Sequence, residues 1–398
     1  MTAPSTAGSP PDGRSPAAAP SEREPRPPVV SGWWWAALPS ILGVGLTLIA
    51  RSDAALVEER YSRGIYPVLA AAIGHLGRSW ERIVPAAGLD AGRPSLAEVT
   101  ALIGVLVVSW RGWRAIRSGS GAALRFALGA AGCLYLAFML LWGLNHAREP
   151  LAARLQLRTG QAAPGELAEL AGELGNMLAR ELAALEGPLQ RHDFSALAVD
   201  AWASALQEQP DLGWCTTPLV RAPMVSRALT ACGISGVFGP HTQECHVAAG
   251  LPAVDRGFVA CHEIAHAQGW AREDEANFLA WRVTSRASAR ALRVSGLALA
   301  LVHVHEALRR ADPALQRECA LALEPAVVAL MGDRTSFWRG ARMESAGRVA
   351  TAVNDVYLRS QGHEGVASYG RMVDLLVAER RARRGRGGTD DSRGVQAR

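Results

Sequence analysis

The chain has 398 residues and a net charge of +5, enough for a membrane anchor and one sizeable globular domain. Hydrophobic residues make up 49% and charged residues 20%, which excludes a chain that is disordered throughout. All 42 basic residues are arginine, so lysine nucleophiles and Schiff bases are excluded, and no basic-aromatic interleaving suggests a nucleic-acid groove.

Residues 1–31 are rich in Pro, Ala, Ser and Gly and read as a disordered leader, too long and polar for a signal-peptide n-region. Three apolar segments follow, at about 33–50, 96–110 and 124–144, and predict three transmembrane helices within an anchor of residues 32–149. The second is marginal in length, with Glu98 near its start, and a re-entrant or interfacial helix is its alternative. The short link after it carries Arg111, Arg114, Arg117 and Arg125 without an acid. Positive short loops stay in the cytoplasm, so everything after residue 145 is expected outside it, in the periplasm or extracellular space.

Residues 150–380 predict a mostly helical domain. Apolar residues recur at helical spacing over 167–185, a Gly- and Pro-rich stretch at 209–257 leaves room for short strands, and helices are expected near 257–268 and 273–290. The segment 294–309 is apolar but contains His303, His305 and Glu306, and is expected as a buried domain helix. The arginine-rich tail 381–398 reads as solvated and disordered. Six cysteines form no Cys-x-x-Cys pair, which argues against a zinc ribbon and leaves disulfides or buried thiols open.

The informative run is Val259-Ala260-Cys261-His262-Glu263-Ile264-Ala265-His266-Ala267-Gln268-Gly269-Trp270. Two histidines four apart share one helix face, within reach of one Zn2+ ion. Glu263, next to the first, projects beside the metal and is expected as general base and then acid. Gly269 is expected to end the helix in a left-handed conformation and turn the chain back, towards Glu273 or Glu275 as third ligand. Glu273 is preferred, because Asn277 then lies one turn on as a hydrogen-bonding neighbour. Six residues past His266 stands Arg272, which excludes a third histidine there. His303 and His305 are two apart and point to different faces. His241 and His246 read as loop polarity, and Tyr357 and Tyr369 as packing residues that alternatively serve an oxyanion.

The strings Gly236-Val-Phe-Gly-Pro-His-Thr-Gln-Glu244, His262-Glu-Ile-Ala-His266 and Glu273-Asp-Glu-Ala-Asn-Phe278 resemble a bacterial membrane-protein family labelled domain of unknown function 3810. So do Tyr61-Ser-Arg-Gly-Ile-Tyr-Pro67, Trp142-Gly-Leu-Asn-His-Ala-Arg-Glu-Pro150 and Gly365-Val-Ala-Ser-Tyr-Gly370. The resemblance covers about residues 55–380 and implies zinc-dependent peptide hydrolysis at the inner membrane. The 273–277 string is also similar to the Glu-x-x-x-Asp element of membrane proteases such as the prenyl-protein endoprotease, which implies Glu273 as ligand with Asn277 in the aspartate's place. His246 stands where that likeness expects asparagine, which leaves a substrate-wall role for Glu244 open.

The expectation is a mainly α protein: three N-terminal transmembrane helices, then a zincin-like, mostly helical metallopeptidase domain with a small strand and loop region. Its partners would be a peptide or protein substrate and the lipid bilayer. The competing functions are an amide hydrolase of cell-wall peptides and a non-catalytic zinc-binding sensor or scaffold.

Overall fold

From Ser31 to Ala50 the chain carries no charged side chain, and in the computed structural model it forms helix α1 (Ser31–Ser52). The structure describes residues 31–86, 93–215, 217–360 and 371–395; the expected leader up to residue 30 lies outside them. After the short α2 (Ala54–Leu56), a wide π-helical stretch (Val57–Ile65) runs into α3 (Tyr66–Ala86). Helix α4 (Leu96–Arg117) starts at a Ser95 capping box closed by Glu98, and α5 (Ser120–Leu141) follows a tight turn at Gly119, φ 112°.

α1, α4 and α5 are each long and apolar enough to cross a membrane, and little of them is buried in protein. The second expected segment therefore reaches full spanning length. Gly129 faces Ala36, Gly132 faces Ser40 and Gly43 faces Tyr135, so α1 and α5 run parallel with their backbones close, as small residues allow. The Thr47 and Tyr135 hydroxyls are hydrogen-bonded at 2.5 Å further along the same seam. At the opposite end Arg125 covers Trp33, Arg114 covers Trp110 and Arg117 covers Trp113, a tryptophan-arginine fringe suited to a headgroup layer.

The third expected span, 124–144, ends earlier. α5 stops at Leu141, and Trp142, Gly143 and Leu144 turn into a 3-10 segment (Gly143–Ala147) buried against the rest of the protein. Hydropathy alone reads those residues as lipid-facing because protein and lipid interiors are equally apolar.

Next come α6 (Leu151–Arg154), α7 (Pro164–Ala183), α8 (Phe194–Glu208), strand β1 (Leu219–Arg221) and α9 (Ser226–Ala231). Strands β2 (Gly236–Gly239) and β3 (Glu244–Val247) precede α10 (Ala253–Ala267), α11 (Glu273–Arg286) and α12 (Arg290–Ala311). α13 (Pro313–Leu321), α14 (Pro325–Ala341), α15 (Glu344–Ser360) and α16 (Arg371–Val395) complete the described chain. The helix α16 thus extends through much of the tail where composition predicts no fold.

α12 is as apolar as a membrane span, yet 67% of its apolar window is buried inside the protein, against 22% or less for α1, α4 and α5. It is the central helix on which α7, α10 and α11 pack. The small sheet has the order β1-β3-β2, with β1 parallel and β2 antiparallel to β3, and β3 and β2 lie against α10.

One hydrophobic cluster joins Val57, Tyr61, Tyr66 and Trp142 to Trp202, Ile264, Phe278 and Leu297. The expected division at residues 149 and 150 therefore runs through continuous packing: the segments flanking the membrane helices are built into the domain. All six cysteines are free, with Cys245 and Cys261 buried.

Candidate metal centre

A helix that must aim two imidazoles at one point needs a rigid C-terminal end, and α10 has one. Gly269 is left-handed at φ 86°; the Gly269 N–H donates to His266 O and the Trp270 N–H to Ala265 O, a Schellman closure. Carbonyls at a helix end have lone pairs to spare, and side chains from elsewhere supply donors. The Trp142 indole donates to His266 O at 3.1 Å; the Tyr66 hydroxyl and the Trp214 indole donate to Ala267 O at 3.0 Å each.

The closure reverses the chain so that α11 starts beside α10. Glu273 brings one carboxylate oxygen to 3.3 Å from His262 Nε2 and the other to 3.6 Å from His266 Nε2. The ligating atoms of these three residues all lie within 4.8 Å of one another. A tetrahedral ion with bonds of 2.0–2.2 Å needs donor separations of about 3.4 Å, so the spacing fits zinc. The donor chemistry fits as well. His266 Nδ1 bonds the Trp270 carbonyl at 2.7 Å, which makes it the protonated nitrogen and leaves the Nε2 lone pair aimed at the cluster.

Burial outweighs the neighbouring Glu273 and lowers His266 to about 4, so this ring is neutral and available as a ligand. Burial opposes charge on Glu273, but the hydrogen bond from His262 and the nearby imidazoles overcome it and hold the carboxyl at about 2. Burial likewise opposes charge on His262, yet Glu273, the charge of Glu263 and the Asn277 amide raise this ring above its ordinary value. An ion taking His262 as a ligand would compete with a proton on that ring. Calorimetric zinc titration near pH 6.5, in buffers of different ionisation enthalpy, should report net proton release on binding, with affinity falling at lower pH. Binding without proton release would count against His262 as a ligand.

Glu263 lies beside this group, not in it. Burial is the main reason its carboxyl is pushed up to about 8. It rests on the bare backbone of Gly236 in β2, where a Cβ would overlap Oε1. Glu275, the alternative third ligand, points elsewhere. Two residues apart on a helix is about 200° of rotation, and Glu275 instead accepts the Leu151 N–H at 2.8 Å and pairs with Arg272 at 3.6 Å. Its burial pushes its carboxyl up to about 7.

Among the other expected residues, Glu244 caps the first turn of α4, taking the N–H groups of Leu96 and Ala97 at 3.2 and 2.7 Å. It ties the sheet to a membrane helix and does not line the cavity. His246 Nδ1 contacts Val237 O at 3.3 Å, His241 meets Thr100 at 3.1 Å, and His305 meets Gln316 at 3.1 Å. His303 lines the cavity but not the ligand cluster. Tyr369 and the Tyr357 side chain lie outside what is described.

Several supporting residues carry no metal-site pattern in sequence. Trp142 packs edge-on against His266, ring centres 5.5 Å apart, and His146 helps hold Glu273 ionised. Arg148 makes a fork to Glu58 with two bonds of 2.9 Å, reaches Gly269 O at 2.9 Å and stacks 3.8 Å over Trp270. It therefore fixes the turn whose carbonyl orients His266. The pair is almost fully buried; Arg148→Ala removes the fork and the Gly269 contact while Glu58 keeps Arg154. We expect a loss of about 1.5–3 kcal/mol, measured by thermal melting of the detergent-solubilised protein; a loss below 1 kcal/mol would refute the role.

A cavity of about 870 Å³ opens in front of the cluster, lined on one side by β2 and on the other by α14 and α15. Asp255, on the first turn of α10, holds α14 across it through the Arg334 guanidinium at 2.6 Å and the Trp338 indole at 2.7 Å.

A family model described as "Protein of unknown function (DUF3810)" matches residues 61–377. No curated protein and no solved structure matches the chain.

Proposed function

The chain belongs to the DUF3810 family of proteins of unknown function, and from its site we propose that it is a membrane-anchored, zinc-dependent metallopeptidase. The observation that carries this reading is the convergence of His262, His266 and Glu273 on one point with the buried Glu263 beside it. His262, His266 and Glu273 would hold the ion, in a zincin-like pairing of a His-Glu-x-x-His helix with a small sheet. When bound, zinc would supply Lewis acidity, acidifying a water and polarising the scissile carbonyl.

The chain's own groups do the rest. Glu263 takes a proton from the attacking water; the water oxygen bonds to the carbonyl carbon, the C–N bond breaks, and Glu263 passes that proton to the leaving amine. β2 is an edge strand whose Gly236, Val237 and Phe238 face the cavity, which suits an extended peptide laid beside it. A cavity walled by α14 and α15 gives such a segment somewhere to lie.

α1, α4 and α5 serve as the anchor. The arginine-rich α4–α5 turn would stay cytoplasmic and the domain would face the periplasm or the extracellular space. The test is metal analysis of the full-length protein in detergent, followed by digestion of unfolded polypeptide and, separately, of purified muropeptides. One zinc per chain and cleavage of polypeptide are expected. Cleavage of muropeptides alone would reassign the enzyme to cell-wall peptides, and a metal-free, inert protein would end the proposal.

A further inference from the structure

The membrane helices end at the metal centre itself. Trp142, the first residue past α5, lies on His266. At the neighbouring end of α4, Leu96 and Ala97 are held by Glu244 of β3, and Glu98 accepts the Val225 N–H at 3.1 Å. Gly239, the last residue of β2, sits against the Ala97 side chain, while Gly236, its first, sits against Glu263. Three strand steps separate those two contacts, about 10 Å at 3.3 Å per residue.

Helices of 22 residues are about 33 Å long, close to the 30 Å hydrocarbon thickness. No surplus helix remains to lift the domain away from the bilayer. The residues at this level fit a lipid boundary: Met224, Val225 and Val237 are 60%, 51% and 41% exposed, and Val225 is bonded through its N–H to Glu98 on the first turn of α4. Stacked tryptophan-arginine pairs mark the far ends of the membrane helices, whereas at this end Arg221 is turned inward onto Glu81 and Glu244.

We infer that the cavity opens within the headgroup layer of the leaflet on the domain side, and that its substrate is the juxtamembrane stretch of a membrane-anchored polypeptide. This substrate assignment rests on the peptidase reading above. An extended chain covers at most about 3.6 Å per residue, so a bond about 10 Å beyond the end of α4 lies at least about three residues past the substrate's own membrane segment.

Two measurements on the full-length protein test it. In nanodiscs of phosphatidylethanolamine and phosphatidylglycerol carrying a headgroup diazirine, illumination should crosslink Met224, Val225 and Val237. It should spare Leu321, which is 88% exposed on α13, a helix packed on α7 and α12. In vesicles, a single transmembrane helix followed by a mixed-sequence tail of about 30 residues should be cut close to the helix, and Glu263→Gln should abolish those cuts. Cuts spread evenly along the tail, or a fringe that lipid does not label, would overturn the inference and leave the peptidase reading intact. A labelled fringe with no Glu263-dependent cleavage would instead remove the peptidase reading, and the substrate assignment with it.

Discussion

Replacing Glu263 by glutamine should leave zinc bound and lower turnover by about 10²- to 10⁴-fold, the usual worth of a positioned general base. The side chain is isosteric and still fits over the bare backbone of Gly236, but an amide cannot take a proton. Retention of metal is expected because the ligand cluster consists of His262, His266 and Glu273. The pH profile adds a second signature. Burial, with the charge of Glu273, holds the carboxyl up at about 8; a divalent ion nearby would stabilise the carboxylate and bring that value down towards neutrality. With zinc kept saturating, turnover should therefore fall as the pH drops and the base becomes protonated, and this acid limb should vanish from the residual activity of Glu263→Gln. Wild-type turnover in the variant would show that hydrolysis does not use this carboxylate and would remove the catalytic reading of the site.

Glu273→Ala and Glu275→Ala should behave in opposite ways. Removing Glu273 takes away one of the three residues proposed to hold zinc, and zinc affinity should fall by more than the roughly 10- to 100-fold that loss of a ligand's hydrogen-bonding neighbour costs. Removing Glu275 should leave one zinc per chain but destabilise the fold by about 1–3 kcal/mol, because the buried Leu151 N–H loses its acceptor. Equilibrium dialysis against a zinc chelator and thermal melting separate the two effects. Loss of zinc in Glu275→Ala with retention in Glu273→Ala would reverse the ligand assignment.

The spacing of His262, Glu263 and His266 and the turn at Gly269 could be read from sequence because both are local consequences of helix geometry. The choice between Glu273 and Glu275 needed only the phase of the next helix, and the structure sets that phase with Glu273 towards the histidines. What could not be read locally are the contacts that bring distant segments onto α10. Arg148 and Tyr66 lie in strings that carry the family resemblance, yet nothing in their neighbourhoods says that one fixes the turn after His266 and the other donates to Ala267 O. Glu244 is similar: a carboxylate in a Gly-rich stretch gives no hint that its partners are the first peptide groups of α4. The end of α5 was misplaced for a related reason, since Trp142 and Leu144 are apolar against protein where hydropathy expects lipid.

The donors that finish the C-terminal turn of α10 have a consequence for how the protein matures. Two of the three, Tyr66 and Trp142, and the Arg148 that braces the turn precede residue 150. A fragment beginning there would be born without the groups that shape its own histidine turn. If the site holds the proposed metal, its shaping would thus wait on docking of the segments that flank the membrane helices, so a copy with a misassembled anchor should fail to bind zinc.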